Sequence, residues 1–207
     1  ALHMTLAAFA ATGFAVAGVH ALMILRKKNE VFHANAFRIA IVFGAIAALL
    51  QPVSGDISAK DVTKRQPAKL AAMEALFKTE TAAPLIIGGI PDEETQTVKY
   101  KIELPGMLSF LAHGDFTHEV TGLDKIPKEN HPPVMVTHFA FQIMVGIGSF
   151  LVLLALTYFI SLKKKSWYSR KWFLRLFVVA IPLGFIAVEA GWVVTEVGRQ
   201  PWIIYNV

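Results

Sequence analysis

Residues 134–162 read VMVTHFAFQIMVGIGSFLVLLALTYFISL, a run of 29 residues without a single Asp, Glu, Lys or Arg. An α-helix rises about 1.5 Å per residue, so about 20 apolar residues cross the hydrocarbon core of a bilayer. This run is long enough, and it carries no charge that would need a partner inside the membrane. It therefore predicts a transmembrane helix and places the chain among membrane proteins.

Three further apolar stretches accompany this run. Leu2–Leu25 has 24 residues and no formally charged side chain, and Phe173–Val194 has 22 residues with charges only near its ends. Phe37–Val53 has 17 residues, with Arg38 near one end. It is short for a bilayer span, so we expect flanking residues to extend the helix. Together the four stretches hold too many apolar residues for one soluble core. We predict an all-α, polytopic membrane helix bundle: four transmembrane helices, with a long outer loop between the second and third.

The composition excludes several classes of protein. The chain has 207 residues and no cysteine, which excludes disulfides, thiolate metal sites, iron–sulfur clusters and covalently attached c-type haem. Hydrophobic residues make up 55% of the chain, which excludes a disordered protein. The chain begins with Ala1, and neither a basic segment nor a cleavage site accompanies the first apolar stretch. We therefore expect a processed, partial or renumbered chain rather than a signal peptide.

The distribution of charge predicts the topology. The short links 26–36 and 163–172 carry eight Lys or Arg residues against one Glu. The long link 54–133 holds nine Lys or Arg and twelve Asp or Glu residues. Because basic loops stay in the cytoplasm, the long link and both termini are expected on the outer side. The net charge of +5 reflects this topology, so we expect no nucleic-acid partner.

The long link is expected to contain structure of its own. Pro67–Lys78 begins with a proline, which suits a first helical turn, and its apolar residues share one helical face; they are Leu70, Met73, Leu76 and Phe77. Thr97–Leu104 alternates apolar and polar residues, which indicates a short strand. We divide the chain into residues 1–53 with two membrane helices, the outer link 54–133, and residues 134–207 with the other two helices.

Two side chains in the predicted membrane helices carry donor atoms suited to haem iron. His3 lies at the outer end of the first helix, and Met144 lies about three turns into the third, close to Gly146 and Gly148. Both helices run from outside to inside, so a His and a Met can bind opposite faces of one haem and give a low-spin iron with a raised potential. A Met in an apolar helix is more often a packing residue, and a His at a helix end more often lies at the interface. His20, His33 and His138 have an equal claim on composition.

The histidines of the long link have no ligand spacing. They are His113, His118 and His131, and we interpret them as solvated side chains.

The fourth apolar stretch ends in a polar helical face. Glu189, Trp192 and Glu196 follow the spacing i, i+3, i+7, and Arg199 lies within ion-pair reach of Glu196. Carboxylates at the end of an apolar helix need partners. One interpretation is an ion-paired cluster at a helix end, and the other is a carboxylate that binds or accepts protons beside a buried cofactor.

Four segments resemble subunit I of the cytochrome bd quinol oxidases. Residues 191–202, GWVVTEVGRQPW, match the pattern G-W-x-x-x-E-x-G-R-Q-P-W of that family. Residues 66–75, QPAKLAAMEA, resemble the start of its quinol-binding loop. Residues 141–146, FQIMVG, resemble its methionine-ligand segment, and Leu2-His3-Met4 before an Ala-rich helix resembles its histidine-ligand segment. The resemblance covers the whole chain but only the later half of the family's subunit.

The resemblance implies roles for the haem-binding residues. His3 and Met144 would be the axial ligands of a low-spin haem b. Glu196 would bind the iron of a high-spin haem b, with Trp192 beside the haems. Arg199 would neutralise carboxylate or propionate charge, and Trp202 closes the same cofactor-binding motif. Gln142 stands where some members have Arg, which leaves the local haem electrostatics open.

The resemblance also implies the quinol site. Lys69 and Glu74 would form it in the outer link, whereas the alternative for both is a solvated helix face. A quinol loses two protons with its two electrons, so a carboxylate on the outer side is suited to accept a proton.

The implied activity is that of an electrogenic quinol:oxygen oxidoreductase. Quinol would be oxidised on the outer side, and electrons would pass from the His/Met haem to the Glu-ligated haem and on to a third haem, d or b, held with the missing half. The alternative is a split-subunit dihaem cytochrome b that transfers electrons between the quinone pool and another partner without reducing oxygen. In either case this chain alone should not reduce oxygen.

The resemblance implies a multi-pass protein of a prokaryotic cytoplasmic membrane, and it also implies several partners. They are the N-terminal half of subunit I in the same or a separate chain, subunit II, the lipid bilayer and quinol. A small single-helix subunit is a further option.

Overall fold

The computed structural model describes residues 2–163 and 170–203, without the side chain of Lys163. In chain order the helices and strands are α1 Leu2–Leu25, α2 Glu30–Arg65, α3 Pro67–Met73, β1 Glu80–Thr81, β2 Leu85–Asp92, β3 Thr97–Leu104, α4 Met107–His113, β4 Glu119–Val120, α5 Val134–Lys163 and α6 Lys171–Val197. Two short 3-10 turns, Leu123–Lys125 and Lys128–Asn130, precede α5.

Four helices within the described residues are long and apolar enough to cross a membrane. They are α1, α2, α5 and α6, and each contains one of the four apolar stretches. The predicted helical membrane bundle is therefore confirmed. The link between α2 and α5 adds two small antiparallel sheets to it, in which β2 pairs with β3 and β1 with β4.

Helix α2 continues beyond its apolar stretch. It passes through Pro52 and ends at Arg65, twelve residues after Val53, where we expected the link to begin. Ion pairs at spacing i, i+4 support the polar extension: Lys60 Nζ lies 2.7 Å from Asp56 Oδ2, and Arg65 Nε lies 2.7 Å from Asp61 Oδ1. Hydropathy locates only the apolar part of a helix. Backbone hydrogen bonds continue the helix through the polar residues that follow.

The chain forms two compact units. The first unit comprises Ala1–Gly55 and Met144–Glu189, and the second comprises Asp56–Ile143 and Ala190–Val207. Our three-part division of the sequence stays a prediction.

Small residues bring the helices of the first unit close together. A Cβ atom added to Gly13 of α1 would lie 2.4 Å from Gly44 Cα in α2, and one added to Gly184 of α6 would lie 2.6 Å from Ala11 Cα. Phe14, Phe37 and Phe177 fill the buried core beside these contacts, with the Phe37 and Phe177 rings edge to face at 4.9 Å. In a bilayer, such close backbone approach supplies the van der Waals packing that holds helices together.

The second unit contains the β2–β3 hairpin. Its register pairs Leu85 with Leu104 and Asp92 with Thr97, which confirms the strand predicted at Thr97–Leu104. We did not predict β2, because Gly88, Gly89 and Pro91 read as chain breaks. Both glycines have positive φ angles, +69° and +90°, so they allow the strand to distort without ending it.

Helix α3 begins at Pro67 as predicted but ends at Met73, not Lys78. Ala75 takes a positive φ of 50° and so ends the helix. Leu76 and Phe77 remain buried in the core of the second unit although they lie beyond the helix.

The α1–α2 contact generates a stability prediction. Gly13→Ala should destabilise the protein by about 1–3 kcal/mol, because the new methyl group meets backbone that has no room to move. Gly146→Ala in α5 is the matched control, since its Cβ would meet nothing within 4 Å. Thermal unfolding in detergent checks both variants, and equal melting temperatures would contradict the described helix contact.

Candidate functional site

Helix α3 packs against the end of α6 in the second unit. Lys69 of α3 is only 7% exposed, and its Nζ donates a hydrogen bond to the Thr195 carbonyl oxygen at 3.4 Å. A Cβ on Gly198 would lie 2.4 Å from the Val194 carbonyl oxygen and 3.2 Å from Lys69 Cγ. The glycine of the GRQPW segment is therefore required by space, since a Cβ there would clash with the Val194 carbonyl oxygen of α6 and crowd the Lys69 side chain.

Three charged side chains belong to this contact. Arg199 forms an ion pair with Glu196, as the sequence predicted, and its Nη1 donates to the Ile203 carbonyl oxygen at 2.6 Å. Burial lowers the pKa of Lys69, and repulsion from Arg199 lowers it further, whereas Glu196 opposes the shift. Lys69 is consequently a buried amine with a weakened hold on its proton, not a solvated side chain.

Glu74 occupies the other end of α3. It is 4% exposed, and burial raises the pKa of its carboxyl group to about 8. Its Oε2 is buried and has no hydrogen-bond partner among the described residues. The solvated helix face considered for Lys69 and Glu74 is thus wrong for both residues.

Two more orphaned polar atoms lie in the same unit. Gln66 Oε1, just before α3, and Arg199 Nε are buried without a partner in the described part of the chain. Buried polar groups are nearly always paired, so each exception needs a reason. Unpaired polar atoms at both ends of α3 and on Arg199 can each bind water or a polar ligand.

His3 has its ring orientation fixed within the first unit. Its Nδ1 lies 2.9 Å from Ser54 Oγ, and the Ser54 hydroxyl donates to the Gln51 carbonyl oxygen at 3.1 Å. The direction of the Ser54 contact depends on the tautomer of His3, and in the tautomer with its proton on Nδ1 the ring donates to the Ser54 hydroxyl. The lone pair of Nε2 is then available for a metal, and hydrogen bonds of this type orient metal-binding histidines.

Met144 lies half-buried in α5, also in the first unit. Leu6 in α1 and Ile147 in α5, one turn beyond His3 and Met144 respectively, pack against the same apolar core. Nothing in the described chain lies within 4 Å of a Cβ built on Gly146, so this glycine leaves open space beside Met144 rather than a helix contact. The hydrogen bonds and ring contacts of the described residues do not join His3 to Met144.

The candidate ligands His3, Met144 and Glu196 are side chains of the kinds that bind haem iron, and they suit a haem better than a bare metal ion. No group of three or more His, Asp or Glu side chains suited to a metal ion occurs within residues 2–163 and 170–203. Haem iron takes its equatorial ligands from the porphyrin and needs only one or two side chains, such as His, Met or a carboxylate.

The family model of cytochrome bd terminal oxidase subunit I matches residues 1–207. The chain belongs to this family. It is 40% identical over 210 residues to a Bacillus subtilis protein provisionally named cytochrome bd menaquinol oxidase subunit I, and 34% identical over 213 residues to the cytochrome bd ubiquinol oxidase subunit 1 of that organism. These matches cover 99% and 98% of the chain but 47% and 45% of the relatives.

A solved structure of the same family has the same fold. The bd oxidase from Geobacillus thermodenitrificans superposes with a TM-score of 0.91 at 37% identity, over 99% of this chain and 47% of the other. The chain therefore spans about half the length of the cytochrome bd oxidase relatives it matches.

The tryptophans of the cytochrome bd motif differ in exposure. Trp192 is 56% exposed in this chain, whereas Trp202 is half-buried. An exposed indole inside a membrane helix leaves a broad aromatic surface open to a cofactor or another chain.

Most remaining histidines have protein partners. His20 Nδ1 lies 2.8 Å from His33 Nδ1, and His131 Nε2 lies 2.9 Å from the Ile126 carbonyl oxygen. His131 is therefore half-buried and bonded, not solvated as predicted. His113 and His118 are exposed, with ring centroids 3.9 Å apart.

Sequence reasoning missed the residues that support these groups. Ser54 gave no motif or charge signal, and Gln66 and Thr195 lay in quoted motifs without a role of their own. His138 and Gln142 were noticed for other reasons, and the structure gives both of them backbone partners in the long link.

The buried Glu74 carboxyl group predicts a pH-dependent stability. The unfolded chain releases this proton near the ordinary pKa of 4.5, whereas the folded chain holds it to about 8. Between these values the folded state binds the extra proton, so stability should fall as pH rises from about 4.5 to 8 and level off above. Glu74→Gln should remove this part of the decline, as measured by thermal unfolding in detergent across the interval.

Glu80→Gln, at an exposed carboxylate of the same link, is the control and should keep the wild-type pH dependence. A Glu74→Gln protein that loses stability with pH as steeply as the wild type contradicts the assignment.

Proposed function

We propose that this chain is the haem-binding and quinol-binding part of a membrane quinol:oxygen oxidoreductase of the cytochrome bd type. The observation that carries the proposal is the orphaned Glu74 carboxyl group, buried at the end of α3 in a member of this family. A buried carboxyl group without a protein partner costs stability, and binding of a polar substrate would repay that cost.

Glu74 would act as the proton acceptor for quinol. Oxidation of a quinol to a quinone releases two electrons and two protons. With a pKa of about 8, Glu74 holds a proton over much of the neutral range and must release it before it can accept another from the substrate. Quinol oxidation that depends on Glu74 should therefore speed up as pH rises toward 8.

Lys69 would bind the substrate at the other end of the helix. Among the described residues its ammonium group has a single long hydrogen bond, to the Thr195 carbonyl oxygen, so it keeps donors for a quinol or quinone oxygen. Burial beside Arg199 lowers the pKa of this ammonium group, so its N–H groups are stronger hydrogen-bond donors and stabilise the negative charge left on the substrate oxygen when quinol loses a proton.

Three side chains would hold the haem irons. His3 Nε2 and the Met144 sulfur would bind the low-spin haem b, and Glu196 would bind the high-spin haem b. When bound, the haems supply one-electron transfer from quinol toward oxygen. Ser54 would keep His3 in the tautomer that binds iron, and Trp192, Arg199 and Trp202 would line the cofactor.

The rest of the oxidase would come from other parts of the assembly. We assign the third haem, d or b, to the other half of subunit I, in the same chain or a separate one, and expect subunit II beside it. The protein would lie in a prokaryotic cytoplasmic membrane, with the long link on the outer side, where the quinol protons are released.

The quinol site is tested by turnover of a short-chain ubiquinol and a short-chain menaquinol in the assembled complex. Glu74→Gln should lower turnover by about 10²–10⁴-fold, the usual contribution of a positioned general base. Lys69→Met should raise the quinol KM, and the haem spectra of both variants should stay as in the wild type. Glu80→Gln is the control, and wild-type turnover in Glu74→Gln would overturn the assignment.

The haem ligands are tested by reduced-minus-oxidised spectra with and without carbon monoxide, together with the masses of the chains. Met144→Leu should abolish the low-spin b signal, and Glu196→Gln the high-spin b signal. Ser54→Ala should weaken haem binding at His3 by about 10–100-fold.

A red-shifted chlorin-type band that responds to carbon monoxide supports the oxidase. Only b-type bands, without that response, favour a dihaem cytochrome b that passes electrons to another partner. Unchanged spectra in every ligand variant would falsify the assignment of His3, Met144 and Glu196.

A further inference from the structure

His138 joins the membrane helix α5 to two separate segments of the long link. The side chain is fully buried, at 0% exposure. Its Nδ1 lies 2.8 Å from the Met73 carbonyl oxygen, and its Nε2 lies 3.1 Å from the Gly88 carbonyl oxygen. A carbonyl oxygen only accepts, so a neutral ring donates in one of these contacts, which one depending on the tautomer, and only the doubly protonated ring donates in both.

Gln142 lies one helical turn further along α5 and binds the same strand. Its Nε2 donates to the Ile86 carbonyl oxygen at 2.9 Å, and its Oε1 accepts from the Gly88 N–H at 3.1 Å. The Gln142 side-chain amide thus both donates to and accepts from β2, as the backbone of a neighbouring β-strand would.

These contacts satisfy backbone groups that would otherwise be unpaired. Strand β2 pairs with β3 on one edge, and its other edge presents free N–H and C=O groups that α5 binds at Ile86 and Gly88. The Met73 carbonyl oxygen lies at the end of α3, where helical hydrogen bonding stops. Side chains of α5 therefore supply hydrogen-bond partners both to the open edge of β2 and to the end of α3.

The Met73 contact acts on the candidate quinol site through the backbone. Glu74 is the next residue, and the positive φ of Ala75 turns the chain directly after it. His138 thus fixes the peptide group from which the Glu74 side chain extends.

We infer that His138 and Gln142 are positioning residues for the quinol site. They hold α3 and β2 against α5 and so fix the place of the Glu74 carboxyl group. The inference rests on the proposed function for the role of Glu74, whereas the anchoring of the link can be measured without it.

The experiment compares wild type, Gln142→Met and Gln142→Glu in the assembled complex. Gln142→Met keeps the length of the side chain and loses both hydrogen bonds, whereas Gln142→Glu keeps the acceptor for the Gly88 N–H and loses the donor. Ile143→Met, at an exposed neighbour on the same helix, is the matched control. The readouts are backbone hydrogen exchange over residues 85–92 and 73–76, and the kcat and KM for a short-chain ubiquinol and a short-chain menaquinol.

For Gln142→Met we expect exchange over residues 85–92 and the quinol KM each to rise about tenfold, the change that loss of about one or two hydrogen bonds gives. The low-spin and high-spin haem spectra should not change. Gln142→Glu should fall between Gln142→Met and the wild type, and Ile143→Met should match the wild type. His138→Phe, which keeps an aromatic ring and loses both ring nitrogens, should raise exchange over residues 73–76 and the KM together.

Other results overturn the inference. Faster exchange with an unchanged KM makes the two residues purely structural, and a raised KM with unchanged exchange means that they act in another way. If the exchange results hold while Glu74→Gln leaves turnover intact, the proposed quinol role of Glu74 fails and the anchoring stands.

Discussion

The hydrocarbon core of a bilayer offers no water to a backbone amide or carbonyl group, and this constraint governs the structure. Four helices satisfy it by internal hydrogen bonding, and glycines allow them to approach at backbone distance. Gly13 against Gly44 and Gly184 against Ala11 leave no space for a methyl group. Because lipid tails are as apolar as Leu, such close packing replaces the hydrophobic effect as the force between helices.

The same requirement extends into the long link, where side chains of α5 complete the hydrogen bonding of other elements. His138 and Gln142 bind the open edge of β2 and the end of α3. The long link is consequently an ordered part of the second unit, with its own buried core around Leu70, Leu108 and Leu123. This order is what allows a carboxyl group to be buried there at a defined place.

Some polar side chains of the candidate site have protein partners, and others have none among the described residues. Glu196 and Arg199 neutralise each other, and the His3 ring is fixed by Ser54. Glu74 Oε2 and Arg199 Nε remain buried without a partner within residues 2–163 and 170–203. This contrast supports the quinol site proposed above, because an unpaired polar group is costly to bury unless something binds it.

The sequence by itself determined the four membrane helices, the strand at Thr97–Leu104, the Glu196–Arg199 pair and the family. Hydropathy, alternation and helical spacing are local properties that survive without tertiary contacts. Local patterns did not predict β2, the polar end of α2 or the early end of α3. Glycines with positive φ lie in β2, an ion pair supports the end of α2, and the positive φ of Ala75 ends α3, and each of these acts against the local pattern. Only the tertiary structure decided that Lys69 and Glu74 are buried, and that His138 and Gln142 bind distant backbone. Burial and long-range hydrogen bonds depend on what the rest of the chain places beside a residue, and no local pattern encodes that.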